Sequence, residues 1–423
     1  MFRSTDELST WWEQFRDPIL TDLVGLAMRG NVDIRLVEAR VRQSRAERAL
    51  AKAGLMPSLQ GLVSGSARRT GGATVSPGLD ASWEPDVFGQ IHRGVEAASA
   101  DVQAAGEDLH GAHVSLVAEV GVAYIELRTL QTRLDIAHHN EASQAETLEL
   151  TQFRSQAGLV SRVDVEQARA SVEQIRAQIP TLESSISQTI NSLSTLAGLP
   201  PPALQATLGP AAPLPGVPGE IAVAIPADVL RQRPDVRAAE RRVVAESSRV
   251  AQRSASRYPQ FALSGSLGAT IATGALTGGT SFVASAAGSL AQVLFDGGRI
   301  RQQVAVQTAV EEQAVASYES AVLTALLEVE NALVAFENDR RRLAALTSAA
   351  DAAGVAAQLA LTQYTSGLSD FQTVLDTERT VLSIQDGVAT TQGDRLTVLV
   401  QLYKALGGGW SPDPLAVPRK QAP

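Results

Sequence analysis

Apolar residues recur three or four apart along two long stretches of the chain. Val95, Ala98, Val102, Ala105, Leu109, Ala112, Leu116, Val120, Ala123, Leu127, Leu130 and Leu134 form one such series. Val315, Tyr318, Val322, Leu326, Val329, Leu333 and Phe336 form the other. A spacing held this long predicts coiled-coil-like packing rather than a lone surface helix. Proline is absent from Asp86 to Ile179 and from Gln260 to Ser411. The pattern predicts long helices over about 91–157 and 299–365, each on the order of 100 Å at about 1.5 Å per residue. Such a length suits a structure that spans a gap. Each helix runs into a matching turn, Ala157-Gly158-Leu159-Val160-Ser161 and Ser366-Gly367-Leu368-Ser369-Asp370. Glycine supplies the left-handed cap that ends a helix. Ser161 and Asp370 can cap returning helices over about 162–197 and 371–406. Each stretch therefore predicts an antiparallel helical hairpin with a tight tip.

Elsewhere the period changes to two. From Tyr258 to Phe295, 38 residues include no Asp, Glu, Lys, Arg or His. Phe261, Leu263, Gly265, Leu267, Ala269 and Ile271 alternate with Ala262, Ser264, Ser266, Gly268, Thr270 and Ala272, which predicts a strand. Thr277-Gly278-Gly279-Thr280 predicts a turn, and a second strand follows within 260–295. Residues 58–88 repeat the arrangement, turning near Gly71-Gly72, with Arg68, Arg69 and Asp80 as interruptions. Each strand reaches the roughly 9–11 residues that cross a membrane in a barrel. Four strands cannot close a barrel, and open edges are not tolerated in lipid. About eight strands fill with side chains, so a conduit needs at least three chains and twelve strands.

The chain is also written twice. Asp33-Ile34-Arg35 precedes Pro57 by 24 residues and Asp235-Val236-Arg237 precedes Pro259 by the same 24. Gly158 answers Gly367 and Gly198 answers Gly407, both at a shift of 209. A period near 200 denotes a duplicated half-molecule, since solenoid units run to about 20–50 residues. Ten of the 19 prolines lie between Pro180 and Pro234, a stretch with little capacity for regular structure. The expected division is a first repeat over 1–209, a linker over 210–225, a second repeat over 226–411 and a tail over 412–423.

Composition narrows the chemistry. Aromatic residues make up only 4%, so Ala, Val and Leu do the packing. A net charge of −9 argues against a nucleic-acid partner. The absence of cysteine excludes disulfides, thiolate metal sites and cysteine nucleophiles in this chain. Met1 to Trp12 shows no signal-peptide core. No run of 18 apolar residues occurs, so no transmembrane helix is expected. His110 and His113 share a helix face and read as a solvated pair, because two ligands alone are weak evidence for metal. Arg237, Arg241 and Arg242 read as a solvated face. No phosphate loop, HExxH zinc motif or nucleophile elbow is present, so neither an enzyme nor a cofactor is expected.

The segment from Ile225 through Arg231-Gln232-Arg233-Pro234-Asp235-Val236-Arg237 to Glu240 resembles the signature opening the second repeat of the outer membrane factor family, the TolC-like channels of tripartite efflux and secretion systems. Trp83-Glu84-Pro85-Asp86-Val87-Phe88-Gly89 and Leu294-Phe295-Asp296-Gly297-Gly298-Arg299 resemble its strand-to-helix junctions, and Tyr364-Thr365-Ser366-Gly367-Leu368 its hairpin tip. The resemblance covers about Trp11 to Trp410 and is closest to the branch serving resistance-nodulation-division drug pumps. It implies an α+β membrane protein: a homotrimer with a twelve-stranded β-barrel, four strands per chain, continued by a long α-helical barrel with a mixed equatorial region. Its implied partners are outer membrane lipid, a periplasmic adaptor and an inner-membrane pump. Many members of that branch are lipoproteins, but their lipid-carrying cysteine does not occur in this chain. It was replaced, precedes the first residue given, or the protein is not lipidated. The family closes its inner mouth with polar and acidic residues of the helix after the second tip. Here Gln372, Thr373, Asp376 and Arg379 share one face of that helix, and Asp376 and Arg379 match positions of the gate. Where the family often has a further aspartate, this chain has Thr373. By spacing alone these residues are a solvated face. With the resemblance they are expected to form the gate, with an Asp–Arg link between neighbouring chains. The tips, Gly158, Leu159, Val160 and Ser161 with Gly367, Leu368, Ser369 and Asp370, are expected to meet the adaptor. The function expected is a passive exit duct for drugs or other small molecules. A type I protein-secretion duct and a soluble periplasmic coiled-coil scaffold are the alternatives.

Overall fold

The structure is a computed structural model that describes residues 8–69, 72–216, 232–273 and 279–410. The expected tail over 412–423, most of the linker, the start of the signature segment, and the turn residues Gly71, Thr277 and Gly278 lie outside the described residues.

A short 3-10 turn, Trp11–Phe15, leads into α1 (Pro18–Gly30) and α2 (Val32–Ala53). Strands β1 (Ser58–Arg68) and β2 (Gly72–Trp83) follow, then the long helix α3 (Gln90–Gln156) and the return helix α4 (Arg162–Leu196). After a one-turn α5 (Gln205–Leu208), the second copy supplies α6 (Pro234–Ala255), β3 (Gln260–Thr273), β4 (Gly279–Ala291), α7 (Arg299–Thr365) and α8 (Phe371–Ala405). The copies match in length: α3 and α7 have 67 residues each, and α4 and α8 have 35. Pro180 lies inside α4 without breaking it. Proline removes one hydrogen bond from a helix interior, and the helix continues on either side of it.

One compact unit comprises Leu36–Leu109 and Pro234–Leu323. It holds an antiparallel sheet in the order β1-β2-β3-β4, so the seam between β2 and β3 joins the two copies. The register sorts the side chains. Val63 pairs with Pro77, Leu79 with Gly61 and Leu267, and Phe261 with Leu290, which puts apolar residues on one face of all four strands. Serines take the other face. Ser58 and Ser82 hydroxyls lie 2.7 Å apart, as do those of Ser266 and Ser285. Asp80 pairs with Gln60 and Ser266 on this polar face, so it does not interrupt the apolar one. Below the strands, Arg237 pairs with Glu107 at 2.6 Å and Arg242 with Asp108 at 2.6 Å. The arginine cluster thus ties α6 to α3 and is not merely solvated.

The other unit comprises Met1–Arg35, His110–Arg233 and Thr324–Pro423. Trp11 is fully buried here, stacked on Tyr403 with ring centroids 5.2 Å apart. Gly121 makes room for it, because a Cβ there would sit 2.9 Å from the indole. Asp17 caps α1 by accepting from the amides of Ile19 and Leu20, and its other oxygen accepts from the Tyr124 hydroxyl at 2.6 Å. Burial, first, and this bond to Asp17 push the Tyr124 phenol up to about 12. His110 stacks on Trp410 at 4.3 Å, so it is not the solvated residue expected.

The duplication survives at single hydrogen bonds. Asn31 donates to the carbonyl of Leu196, and Arg233, 202 residues on, donates to that of Ala405. Each holds the last turn of a return helix, with an amide in one copy and a guanidinium in the other. Arg233 also reaches Glu328 at 2.7 Å. One helix, α7, contains an 18-residue window long and apolar enough to cross a membrane, which the sequence reading had not expected.

Both end-holding contacts are testable. Asn31→Ala and Arg233→Met each leave a buried carbonyl without its donor, at a cost of about 1–3 kcal/mol. Urea unfolding in detergent should show a lower midpoint for both, and unchanged midpoints would refute the assignment.

Candidate functional site

Both tips are built the same way. The Gly158 amide donates to the Ser155 carbonyl at 3.0 Å, and Leu159 to Arg154 at 2.9 Å. In the second copy Gly367 donates to Tyr364 at 3.0 Å and Leu368 to Gln363 at 2.8 Å. These paired bonds need a left-handed residue at the turn. Gly158 and Gly367 supply it at φ 74° and 75°.

The returning helices are then capped. The Ser161 hydroxyl accepts from the Asp164 amide, and the Asp164 carboxylate accepts from the Ser161 amide at 2.9 Å, a reciprocal capping box. Asp370 accepts from the Thr373 amide at 2.9 Å and its hydroxyl at 2.6 Å. Those two bonds, the hydroxyl's first, hold the Asp370 carboxyl below its ordinary value. Leu159 and Leu368 are exposed at 67% and 80%, so each tip presents a bare leucine. Val160 packs inward against a small core of Tyr364, Phe371, Val374 and Leu375.

The tips differ in their aromatic residue. Tyr364 is buried against Phe371, with the Arg154 guanidinium 4.6 Å above its ring. Phe153, the nearest aromatic in the first copy, is 60% exposed. Phe153 therefore contributes to the surface and not to a core.

Gln372, Thr373, Asp376 and Arg379 all lie on the exposed face of α8. Thr373 is engaged by Asp370. Asp376 accepts from the Gln372 amide at 2.9 Å. Within the protomer no ion pair joins Asp376 to Arg379 among the described residues. Arg379 instead borders a groove of about 660 Å³ between α3, α4 and α8, beside Arg133 and Asp386. Both charged side chains are exposed to solvent in the protomer.

A polar ladder that the sequence reading missed joins the first copy to the second. Arg133 binds Asp386 through two nitrogens, at 2.6 and 3.3 Å. Asn140 donates to Gln385 at 3.0 Å, Thr147 to Glu378 at 2.8 Å and Arg154 to the Thr365 carbonyl at 2.8 Å. The four residues of α3 are spaced by sevens, the signal that could have found them. Glu378 is the strained rung. Burial raises its pKa above the ordinary 4.5, and the Thr147 hydroxyl only partly opposes this. Its second oxygen is buried without a hydrogen-bond partner.

The comparisons with known proteins agree with this architecture. The family model for outer membrane efflux proteins matches residues 23–199 and 225–408. The solvent efflux pump outer membrane protein SrpC of Pseudomonas putida is 31% identical over 411 residues, covering 94% of this chain and 87% of that relative. The pyoverdine export outer membrane protein OpmQ of Pseudomonas aeruginosa is 30% identical over 430 residues, covering 98% and 90%. The solved outer-membrane channel OprN superposes with a TM-score of 0.89 at 35% identity, over 95% of this chain and 93% of that one. The fold is that of a TolC-like outer membrane channel, mostly helical with one four-stranded sheet. The chain belongs to the outer membrane efflux protein family, and its place is the outer membrane.

Glu378 gives a pH prediction. A raised folded pKa means that ionisation costs stability, so wild-type stability falls as pH rises from about 4.5 through the raised value. Glu378→Gln keeps the bond to Thr147 and removes that cost. Its melting temperature should exceed that of the wild type at pH 8 and converge with it near pH 4. A constant difference across that range would show that the carboxylate is not the cause.

Proposed function

We propose that three copies of this chain close one twelve-stranded barrel and form a passive exit duct for small molecules. The sheet carries this reading. Its register puts a continuous apolar surface on one face, while the outer edges of β1 and β4 pair with nothing among the described residues. In lipid such edges must be paired, and copies of the same chain supply the partner strands. The long helix α7 supports the same assembly. Its apolar window is only 11% buried within the protomer, so most of its surface is open to a neighbour.

A passive duct supplies no energy of its own, and the driving energy comes from an inner-membrane pump of the resistance-nodulation-division class. A periplasmic adaptor meets the tips, where Leu159 and Leu368 offer apolar contacts. Solvents and pyoverdine, the cargoes in the relatives' names, are small and chemically unlike. That fits a channel that selects little and leaves the choice of cargo to the pump. The mouth is closed by Asp376 and Arg379, paired between neighbouring chains, with Gln372 and Thr373 lining the same face.

Three measurements test this. Light scattering of the detergent-solubilised protein should give three times the chain mass of 44.5 kDa, and a monomer or dimer would refute the trimer. Leu267→Arg should lose about 2–4 kcal/mol of insertion free energy, while Ser266→Arg on the polar face inserts normally; equal behaviour would refute the facing of the barrel. Asp376→Ala and Arg379→Ala should each raise the resting conductance in planar bilayers. Unchanged conductance in both would remove these residues from the gate.

A further inference from the structure

All four strand-to-helix junctions leave the same end of the sheet. Ser58 pairs with Ser82, Ser82 with Ser264, and Gln260 with Ala291. Aromatic rings gather at this end. Phe88 stacks on Tyr258 with centroids 5.0 Å apart and on Phe261 at 6.3 Å. Trp83, at the last position of β2, donates its indole N–H to the Leu55 carbonyl at 3.0 Å. Rings with one apolar and one polar side settle at the headgroup level of a bilayer.

Just beyond the rings, cations outnumber the carboxylates available to them. Arg253 lies in the last turn of α6, Arg257 three residues before β3, and Arg301 in the first turn of α7. All three are exposed, and none makes an ion pair within the protomer among the described residues. The antiparallel helices α6 and α7 are joined by Gln307 and Glu246 at 2.6 Å. Seven residues on from Glu246 is Arg253, and seven back from Gln307 is Ile300, so Arg253 and Arg301 lie at one level. The nearby carboxylates are mostly committed. Asp86 accepts from the His92 amide and ring at 2.6 Å, and Asp296, beside Arg299, accepts from the amides of Gly298 and Ile300 at 2.8 Å. Glu84 remains exposed to solvent.

We propose that this end of the sheet holds the headgroup of an anionic phospholipid, with its phosphodiester bound by Arg253, Arg257 and Arg301 beneath the aromatic collar. Three uncommitted positive charges attract the phosphodiester, with about 1 kcal/mol for each Lys or Arg near an anionic surface. The collar fixes the depth at which a headgroup meets them. The inference rests on the barrel lying in a membrane, and it adds which lipid the barrel prefers at its helical end.

The test uses the full chain in phosphatidylcholine vesicles carrying trace spin-labelled lipid. The total motionally restricted fraction reports whether the barrel contacts lipid at all, and its absence would overturn the membrane reading itself. The ratio between labelled phosphatidylglycerol and labelled phosphatidylcholine reports the belt. Phosphatidylglycerol should be favoured by about fivefold or more at low salt. The triple variant R253Q/R257Q/R301Q should bring the ratio near unity, whereas R253K/R257K/R301K should keep most of the preference. Equal association of both lipids with the wild type, or an undiminished preference in the glutamine variant, would overturn the proposal. So would loss of the preference in the lysine variant.

Discussion

A strand in lipid cannot leave its backbone N–H and C=O groups unpaired, and most of this chain follows from that rule. Within the protomer three seams are satisfied, the central one only because β2 of the first copy meets β3 of the second. Duplication thus turns two marginal hairpins into one sheet. The two outer edges remain unpaired among the described residues, and the proposed assembly of copies would satisfy them. The same rule dictates the alternation. One face must be apolar because lipid covers it, while the other can carry serines that bond one another across strands, as Ser58 does with Ser82.

The contacts between the hairpins obey a different logic. Apolar positions hold the helices of a hairpin together, but the ladder from Arg133 to Arg154 is polar. Each such hydrogen bond contributes only about 0.5–1.5 kcal/mol net, because water competes for the same groups. A seam of this kind can be re-paired at little cost, unlike an interdigitated apolar core. Glu378 weakens it further, since a buried carboxylate with one unpartnered oxygen is poorly accommodated. Near the tips the second copy's return helix is joined to the first copy both by this ladder and by the small apolar core in which Val160 meets Phe371, Val374 and Leu375.

Much of this was legible in the sequence, and the physics says why. The glycine turns and capping residues act within four residues of themselves, so the ends of α3, α4, α7 and α8 fall within a residue of where spacing put them. Strand faces were legible for the same reason, since a period of two needs no knowledge of the partner strand. Tertiary pairing was not. Asn31 and Arg233 do the same task with different side chains, so no local identity between the copies marks them. Arg237 and Arg242 read as solvent-facing until Glu107 and Asp108 are brought beside them from a helix more than a hundred residues away. The spacing by sevens of Arg133, Asn140, Thr147 and Arg154 is visible in the sequence, but their partners Asp386, Gln385, Glu378 and Thr365 are not. The shared face of Gln372, Thr373, Asp376 and Arg379 on α8 was legible, while the engagement of Thr373 by Asp370 and of Asp376 by the Gln372 side chain was not.

Where the copies have drifted apart shows which dimensions are constrained. Ser58 to Gln260 is a shift of 202, Gly72 to Gly279 is 207, and Gln90 to Arg299 is 209. Five of the seven extra residues thus enter within the strand hairpin, and the rest before the long helix. From there to the last turn of the return helix no residue is gained or lost, across 67 and then 35 positions. A loop at the far end of a strand pair tolerates insertions because its closing entropy grows slowly with length. An insertion in a long helix instead rotates every later side chain by about 100°. It would turn Arg133, Asn140, Thr147 and Arg154 away from their partners on α8 and at the end of α7 together. The ladder therefore requires α3 to stay in step with α8, even as the tip aromatics differ, Phe153 exposed and Tyr364 buried.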